Sequence, residues 1–194
     1  RGVPWYVAAP AMFNGSGSYG NGAAMRVAPI GAYFADDLEA VVEHARRSAK
    51  VTHAHAEGVA GAMAVAVAAA VAYQQSLEGR FNGAALFEAV LERTPASSTR
   101  ERIAEVSEMA VDRPVDWVVR QVGSGQEVSS QDTVPFVLWC AAHHLDDYEE
   151  AFWYTVSGLG DRDTTCAMVG GIVALAARSI PGTWLESRET LPAL

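Results

Sequence analysis

Apolar residues recur at helical spacing along most of the 194 residues. Leu38, Val41, Val42 and Ala45 fall on one face of a helix predicted over 38–48, with Asp36-Asp37 placed to cap its start. Thr52 is expected to open the next helix, where Val59, Met63, Val67 and Val71 recur among alanines. So many small side chains allow close helix contact on more than one side. The pattern continues over 83–92, with Leu86, Val90 and Leu91 inward, and over 98–111, closed by Asp112-Arg113-Pro114. A short helix over 115–121 stops at Gly123-Ser124-Gly125. Pro135 suits the first turn of a helix with its body at 136–144. Helices over 147–157 and 164–178 complete the series, separated by Gly158-Leu159-Gly160. No alternating strand pattern of useful length occurs. The expected class is all-α, with about eight helices in a single domain over 1–194, since no repeat or linker divides the chain.

One segment breaks the helical pattern. Phe13-Asn-Gly-Ser-Gly-Ser-Tyr-Gly-Asn-Gly22 places four glycines in the eight positions from Gly15 to Gly22, a density that no regular helix tolerates. It reads as a shaped loop, followed by a small, apolar stretch from Ala23 to Phe34. The composition supports a packed core, with 50% hydrophobic and 19% charged residues. Twenty-three acidic against fourteen basic residues give a net charge of −9, which argues against general nucleic-acid binding. Lys50 is the one lysine among those fourteen, a skew that reads as coding bias. Cys140 and Cys166 are too few and too far apart for a disulfide framework, and their apolar surroundings suit buried free thiols. The apolar stretches at 59–71 and 166–177 are shorter than the roughly 20 residues of a membrane span, so they read as buried helices and no membrane association is expected. The start Arg1-Gly-Val-Pro-Trp5, without Met, reads as a chain that has lost its beginning.

Four clusters could carry chemistry. In Gly160-Asp161-Arg162-Asp163-Thr164-Thr165, two carboxylates two residues apart and a hydroxyl beside them form an all-oxygen set that suits Mg²⁺, Mn²⁺ or Ca²⁺. Capping of the helix that follows explains one carboxylate and one hydroxyl without any metal, and on spacing alone it is the simpler account. The loop from Gly15 to Gly22 could bring backbone N–H groups to an anion; Phe13 and Tyr19 could stack on a base, and Ser18 and Asn21 could bond phosphate or ribose. An ordinary surface turn has the same composition, and neither a Walker nor a Rossmann fingerprint is present. Thr52-His53-Ala-His55 could hold zinc only with a further ligand that the sequence does not suggest, so Thr52 reads as a cap with one His inward and one outward. His143-His144 reads as an exposed helix end.

The order of these motifs, Phe13 to Arg26, then Thr52-His53, then Gly160-Asp-Arg-Asp-Thr164 before a Gly-rich apolar helix, resembles the ADP-ribosylglycohydrolase family. The resemblance implies a compact orthogonal helical bundle with a binuclear Mg²⁺ (or Mn²⁺) centre in the intact protein, and a chain matching the C-terminal two-thirds of the family's domain. It implies a cytoplasmic hydrolase that cleaves the glycosidic bond between ADP-ribose and a protein or other acceptor. By motif, Asp161, Asp163 and Thr164 correspond to metal ligands, and Phe13, Gly17, Ser18, Tyr19, Gly20, Asn21, Gly22 and His53 correspond to the substrate cleft. The family's early Thr-Asp-Asp and Gly-Asp-Ala-Leu-Gly motifs are absent, so the catalytic acidic residue is expected in a missing N-terminal part. Arg162 and Leu159 stand where the family favours a small residue and a glycine. The alternative reading is a non-catalytic ADP-ribose-binding or structural, crystallin-like member of the same fold.

Overall fold

The computed structural model describes residues 2–177 and 179–190. Twelve helices are found among them: α1 (Trp5–Gly15), α2 (Gly22–Met25), α3 (Ala28–Tyr33), α4 (Leu38–Lys50), α5 (Ala56–Glu78), α6 (Gly83–Arg93), α7 (Ser98–Ser107), α8 (Val115–Val122), α9 (Ser130–His143), α10 (Tyr148–Ser157), α11 (Arg162–Val173) and α12 (Gly182–Ser187). No strand occurs among the described residues, only an isolated antiparallel bridge between Gly20 and Ser129. The all-α class is as expected. The additional elements are α1, the short α2 and α3 within the apolar stretch after the glycine loop, and α12.

The bundle is built around α5. This helix is long and apolar enough to cross a bilayer, but 83% of its most apolar window is buried by neighbouring helices. Its alanines, valines and glycines keep it thin, and α2, α3, α4, α6, α7, α9 and α11 all pack on it. The approach is close enough that single carbons matter. A Cβ at Gly31 of α3 would lie 2.2 Å from the Ala66 carbonyl oxygen, and one at Gly61 of α5 would lie 2.7 Å from Ser130 Oγ on α9. Large side chains gather where helices cannot come so near: Phe136, Trp139 and Leu138 on α9, Leu86, Ile103 and Met168 are all fully buried.

Several boundaries depart from the sequence expectation, each for a local reason. Asp37 caps α4 as expected, accepting from Glu39 N at 3.1 Å and Ala40 N at 3.0 Å. Thr52 does not cap α5. His55 does, its Nδ1 accepting from Glu57 N at 3.1 Å. Helix α9 begins at Ser130 and carries Pro135 in its interior instead of its first turn. The proline leaves the Gln131 carbonyl without its helical donor. Arg102 reaches that oxygen at 3.5 Å and the Val122 carbonyl at 3.4 Å. Helix α7 ends at Ser107, four residues before the expected Val111. Helix α11 begins two residues early, at Arg162, and ends at Val173; the expected end, Arg178, lies outside the described residues. Glu57 ties the start of α5 to that of α7, accepting from Ser98 N and Thr99 N, each at 2.8 Å, and from Thr99 Oγ1 at 2.6 Å.

His143 and His144 are half-buried rather than an exposed helix end, and neither Nε2 has a hydrogen-bond partner. Burial holds both imidazoles below the ordinary histidine range, although the Met109 backbone pulls His143 up and Glu150, Asp147 and Asp146 pull His144 up. The unfolded chain therefore binds these protons at a higher pH than the folded one. Stability is complete above the ordinary histidine pKa and falls as pH drops through that value towards the depressed ones. Urea unfolding at pH 5.5 is expected to show a lower midpoint than at pH 7.5, and His143→Gln plus His144→Gln should reduce that difference. Gly31→Ala is expected to cost roughly 2–3 kcal/mol through overpacking, read as a lower urea midpoint. Gly182→Ala, whose Cβ would meet no atom within 4 Å, should leave the midpoint unchanged.

Candidate functional site

The glycine loop leaves α1 through a kink in which Phe13 (φ 52°) and Asn14 (φ 58°) adopt left-handed backbone. Gly17, also left-handed at φ 73°, passes so close to the chain before α5 that a Cβ there would come within 2.7 Å of His55 N. Its role is to let the loop turn, and it is not part of the cavity wall. Ser18 then hands its carbonyl to His55 N at 3.3 Å, and its hydroxyl accepts from Gly20 N at 3.2 Å. Gly58 completes the fit from below, since a Cβ on it would meet the Ser18 carbonyl at 2.8 Å.

A second segment, over 123–130, closes the opposite side. Asn21 N donates to the Val128 carbonyl at 3.1 Å, Ser130 N to the Tyr19 carbonyl at 3.0 Å, and Ser130 Oγ to the Gly20 carbonyl at 3.1 Å. Between the two segments lies a cavity of about 390 Å³, lined by Phe13, Ser18 to Gly22, His53, Glu127 and Val128. The volume falls within the range of small-molecule sites. Phe13 and Tyr19 are exposed at its edge, their ring centroids 6.4 Å apart and tilted by 40°. His53 lies against Gly20 and Gly22, where a side chain would crowd it: a Cβ would come within 3.3 Å and 3.2 Å of its Nε2. Burial, and next the charge of Arg26, hold the His53 pKa below its ordinary value.

Glu127 and Val128 were not anticipated from the sequence, where Gly123-Ser124-Gly125 read only as a helix stop. Asp132, nearly buried on α9, shapes this wall by accepting from Glu127 N at 2.8 Å through its carboxylate and from Gly125 N at 3.1 Å through its carbonyl. Val128 is left-handed (φ 54°), an unfavourable conformation for a β-branched residue. Gly125 (φ 93°) lets the segment approach the start of α11, since a Cβ there would lie 2.7 Å from the Asp161 Cβ. The two glycines were the available signal.

Asp161, Asp163 and Thr164 stand at the start of α11. They do not line the cavity themselves. Asn21 connects them to it: buried to 3% exposure, it donates through Nδ2 to Asp161 Oδ2 at 3.1 Å and to Thr133 Oγ1 at 3.0 Å. Thr133 in turn donates to the Ser129 carbonyl at 2.7 Å. The Asn21 Nδ2 is thus bonded within the protein, while the residue still lines the cavity. Asp161 holds the N-cap position of α11 without a well-formed side-chain capping bond, although the Thr164 backbone N–H helps hold its carboxylate charged. Burial raises its pKa, and hydrogen bonds involving Asp163, Asn21 and Thr164 outweigh that and leave it below the ordinary value. The two carboxylates and the Thr164 hydroxyl are an all-oxygen donor set of the kind that fits a hard divalent cation. No group of three or more His, Cys, Asp or Glu side chains placed to hold a metal occurs among the described residues. Leu159, where a glycine was expected, is left-handed at φ 57°, the conformation that glycine adopts without strain.

The chain belongs to the ADP-ribosylglycohydrolase family, whose model matches residues 1–193. A protein of Archaeoglobus fulgidus is 36% identical over 85% of this chain and 52% of its own length. The ADP-ribosylhydrolase ARH3 of Homo sapiens is 31% identical over 93% of this chain and 57% of its own, and that of Mus musculus is 30% identical over 95% and 56%. The chain thus spans somewhat over half the length of these relatives.

Asn21→Leu removes the amide that joins the loop, α9 and Asp161 while keeping the volume. It is expected to lower stability by roughly 1–3 kcal/mol, the cost of leaving buried partners unsatisfied, read as a reduced urea midpoint. An unchanged midpoint would show that the three segments are held without it.

Proposed function

We propose that this chain provides the ADP-ribose cleft and one metal half-site of an ADP-ribosylglycohydrolase, which hydrolyses the glycosidic bond joining ADP-ribose to its acceptor. The observation that carries this reading is the bond from Asn21 to Asp161, which brings the glycine loop and the acidic segment together across 140 positions of sequence. Family membership and the similarity to the ARH3 ADP-ribosylhydrolases support it.

In this reading Phe13 and Tyr19 hold the adenine between exposed rings, while the backbone and hydroxyl of Ser18 with Gly20 and Gly22 leave room for the diphosphate. A side chain at either glycine would crowd His53. Binding energy gathered at this remote end positions the bond to be broken. Asp161, Asp163 and Thr164 would hold a Mg²⁺ or Mn²⁺ ion, which supplies Lewis acidity and fixes hydroxyl groups where oxocarbenium character develops. Asn21 keeps the Asp161 carboxylate turned towards the loop. The acceptor is an ADP-ribosylated protein or another ADP-ribosylated group, and the setting is the cytoplasm.

Calorimetric titration of ADP-ribose into the chain should give binding that Tyr19→Ala weakens by about tenfold, the loss of one aromatic platform worth roughly 1–2 kcal/mol. In the protein that releases ADP-ribose, Asp161→Asn with Asp163→Asn should abolish Mg²⁺-dependent release. Undiminished turnover in that double variant would refute the half-site. Binding of ADP-ribose with no release under any metal condition would favour a non-catalytic ADP-ribose-binding protein.

A further inference from the structure

Beside the cavity lies a line of hydrogen bonds running from Arg26 through Thr52 to His53, and the inference drawn from it rests on the reading of the cavity as an ADP-ribose site. The Arg26 guanidinium, at the end of α2, donates through Nη2 to the Ser48 carbonyl of α4 at 3.0 Å and to Thr52 Oγ1 at 2.9 Å. Thr52 Oγ1 lies 2.7 Å from His53 Nδ1. The other ring nitrogen, Nε2, faces Gly20 and Gly22 in the cavity wall. We infer that Thr52, oriented by Arg26, is a positioning residue that fixes the tautomer of His53, so that the imidazole presents an Nε2–H donor to an oxygen of the diphosphate or ribose.

The chemistry follows from which groups can donate. A guanidinium has no acceptor, so Thr52 Oγ1 must accept from Arg26. That charged donor polarises the hydroxyl and makes its single hydrogen a better donor. In the inferred arrangement the nitrogen 2.7 Å away receives that hydrogen, and the ring proton then sits on Nε2. The bond to Thr52 is the one hydrogen bond that the ring makes among the described residues, so Nε2 is left to the cavity. Charge reinforces the assignment. Arg26 is the charged group that acts on His53, and Tyr19 and Glu127 are the other titratable groups lining the same cavity. Burial and the Arg26 charge keep the imidazole neutral at physiological pH. A neutral ring with a fixed tautomer offers one directed donor, whereas a mixture of tautomers would present a lone pair to an anionic ligand part of the time.

The test needs no ligand for its first readout. In ¹⁵N-labelled chain at neutral pH, long-range ¹H–¹⁵N correlation spectra should show His53 as a single Nε2–H tautomer. Thr52→Val, which keeps the shape and loses the hydroxyl, should give a mixture of tautomers, and Thr52→Ser should restore the original spectrum. An Nδ1–H ring or an imidazolium in the unsubstituted chain would overturn the inference, as would a Thr52→Val spectrum identical to it. The second readout is ADP-ribose titration, where Thr52→Val should weaken binding roughly three- to tenfold, one net hydrogen bond, and Thr52→Ser should recover it. Unchanged affinity alongside a changed tautomer would overturn the role assigned to Nε2. No binding of ADP-ribose by any form would count against the function proposed for the cavity, while the tautomer spectra still decide the role of Thr52.

Discussion

How closely other backbones can approach α5 is the constraint on which this molecule depends. A helix rich in alanine, valine and glycine gives up side-chain volume to reduce distance, so that α3 and α9 come within a carbon's width of it. The same property forms the cleft. Gly58 and Gly61, one turn apart on α5, admit the Ser18 carbonyl and the Ser130 side chain, respectively. Those two contacts set the two walls of the cavity against a single rigid reference. Dispersion and burial along α5 therefore stabilise the fold and fix the site geometry with the same atoms.

Within that frame the polar groups around the cavity mostly bond each other. Asn21 serves Asp161 and Thr133, Ser130 serves Gly20, and Asp132 holds the 123–128 segment. Fixing donors and acceptors in this way lowers the ordering cost when a ligand enters. The exposed rings of Phe13 and Tyr19 and the second nitrogen of His53 are among the groups that the cavity leaves available.

The helices were legible in the sequence wherever a 3.6-residue period ran uninterrupted, as in α4, α6 and α10. The boundaries that slipped depend on contacts from far along the chain. Pro135 can sit inside α9 because Arg102 takes up the carbonyl it leaves unbonded, and α5 starts at a histidine cap that residue preferences do not favour. The loop over 13–22 was legible because so many glycines have few other uses. Its partner wall was not, because Glu127 and Val128 acquire their place only through the bridge between Gly20 and Ser129. On spacing alone capping was the simpler account of Asp161, since cap and metal ligand use the same position. The bond from Asn21 is a further partner that spacing could not reveal.

The bridge between Gly20 and Ser129 also bears on how the chain acquires its cavity. Its two sides are more than a hundred residues apart, so neither can form it by local preference, and the loop-closure entropy is recovered only after α5 and α9 have docked. The helices can form early and separately. The cavity is therefore among the last features to assemble and among the first to be lost on partial unfolding, which makes its integrity a measure of whether the whole bundle is in place.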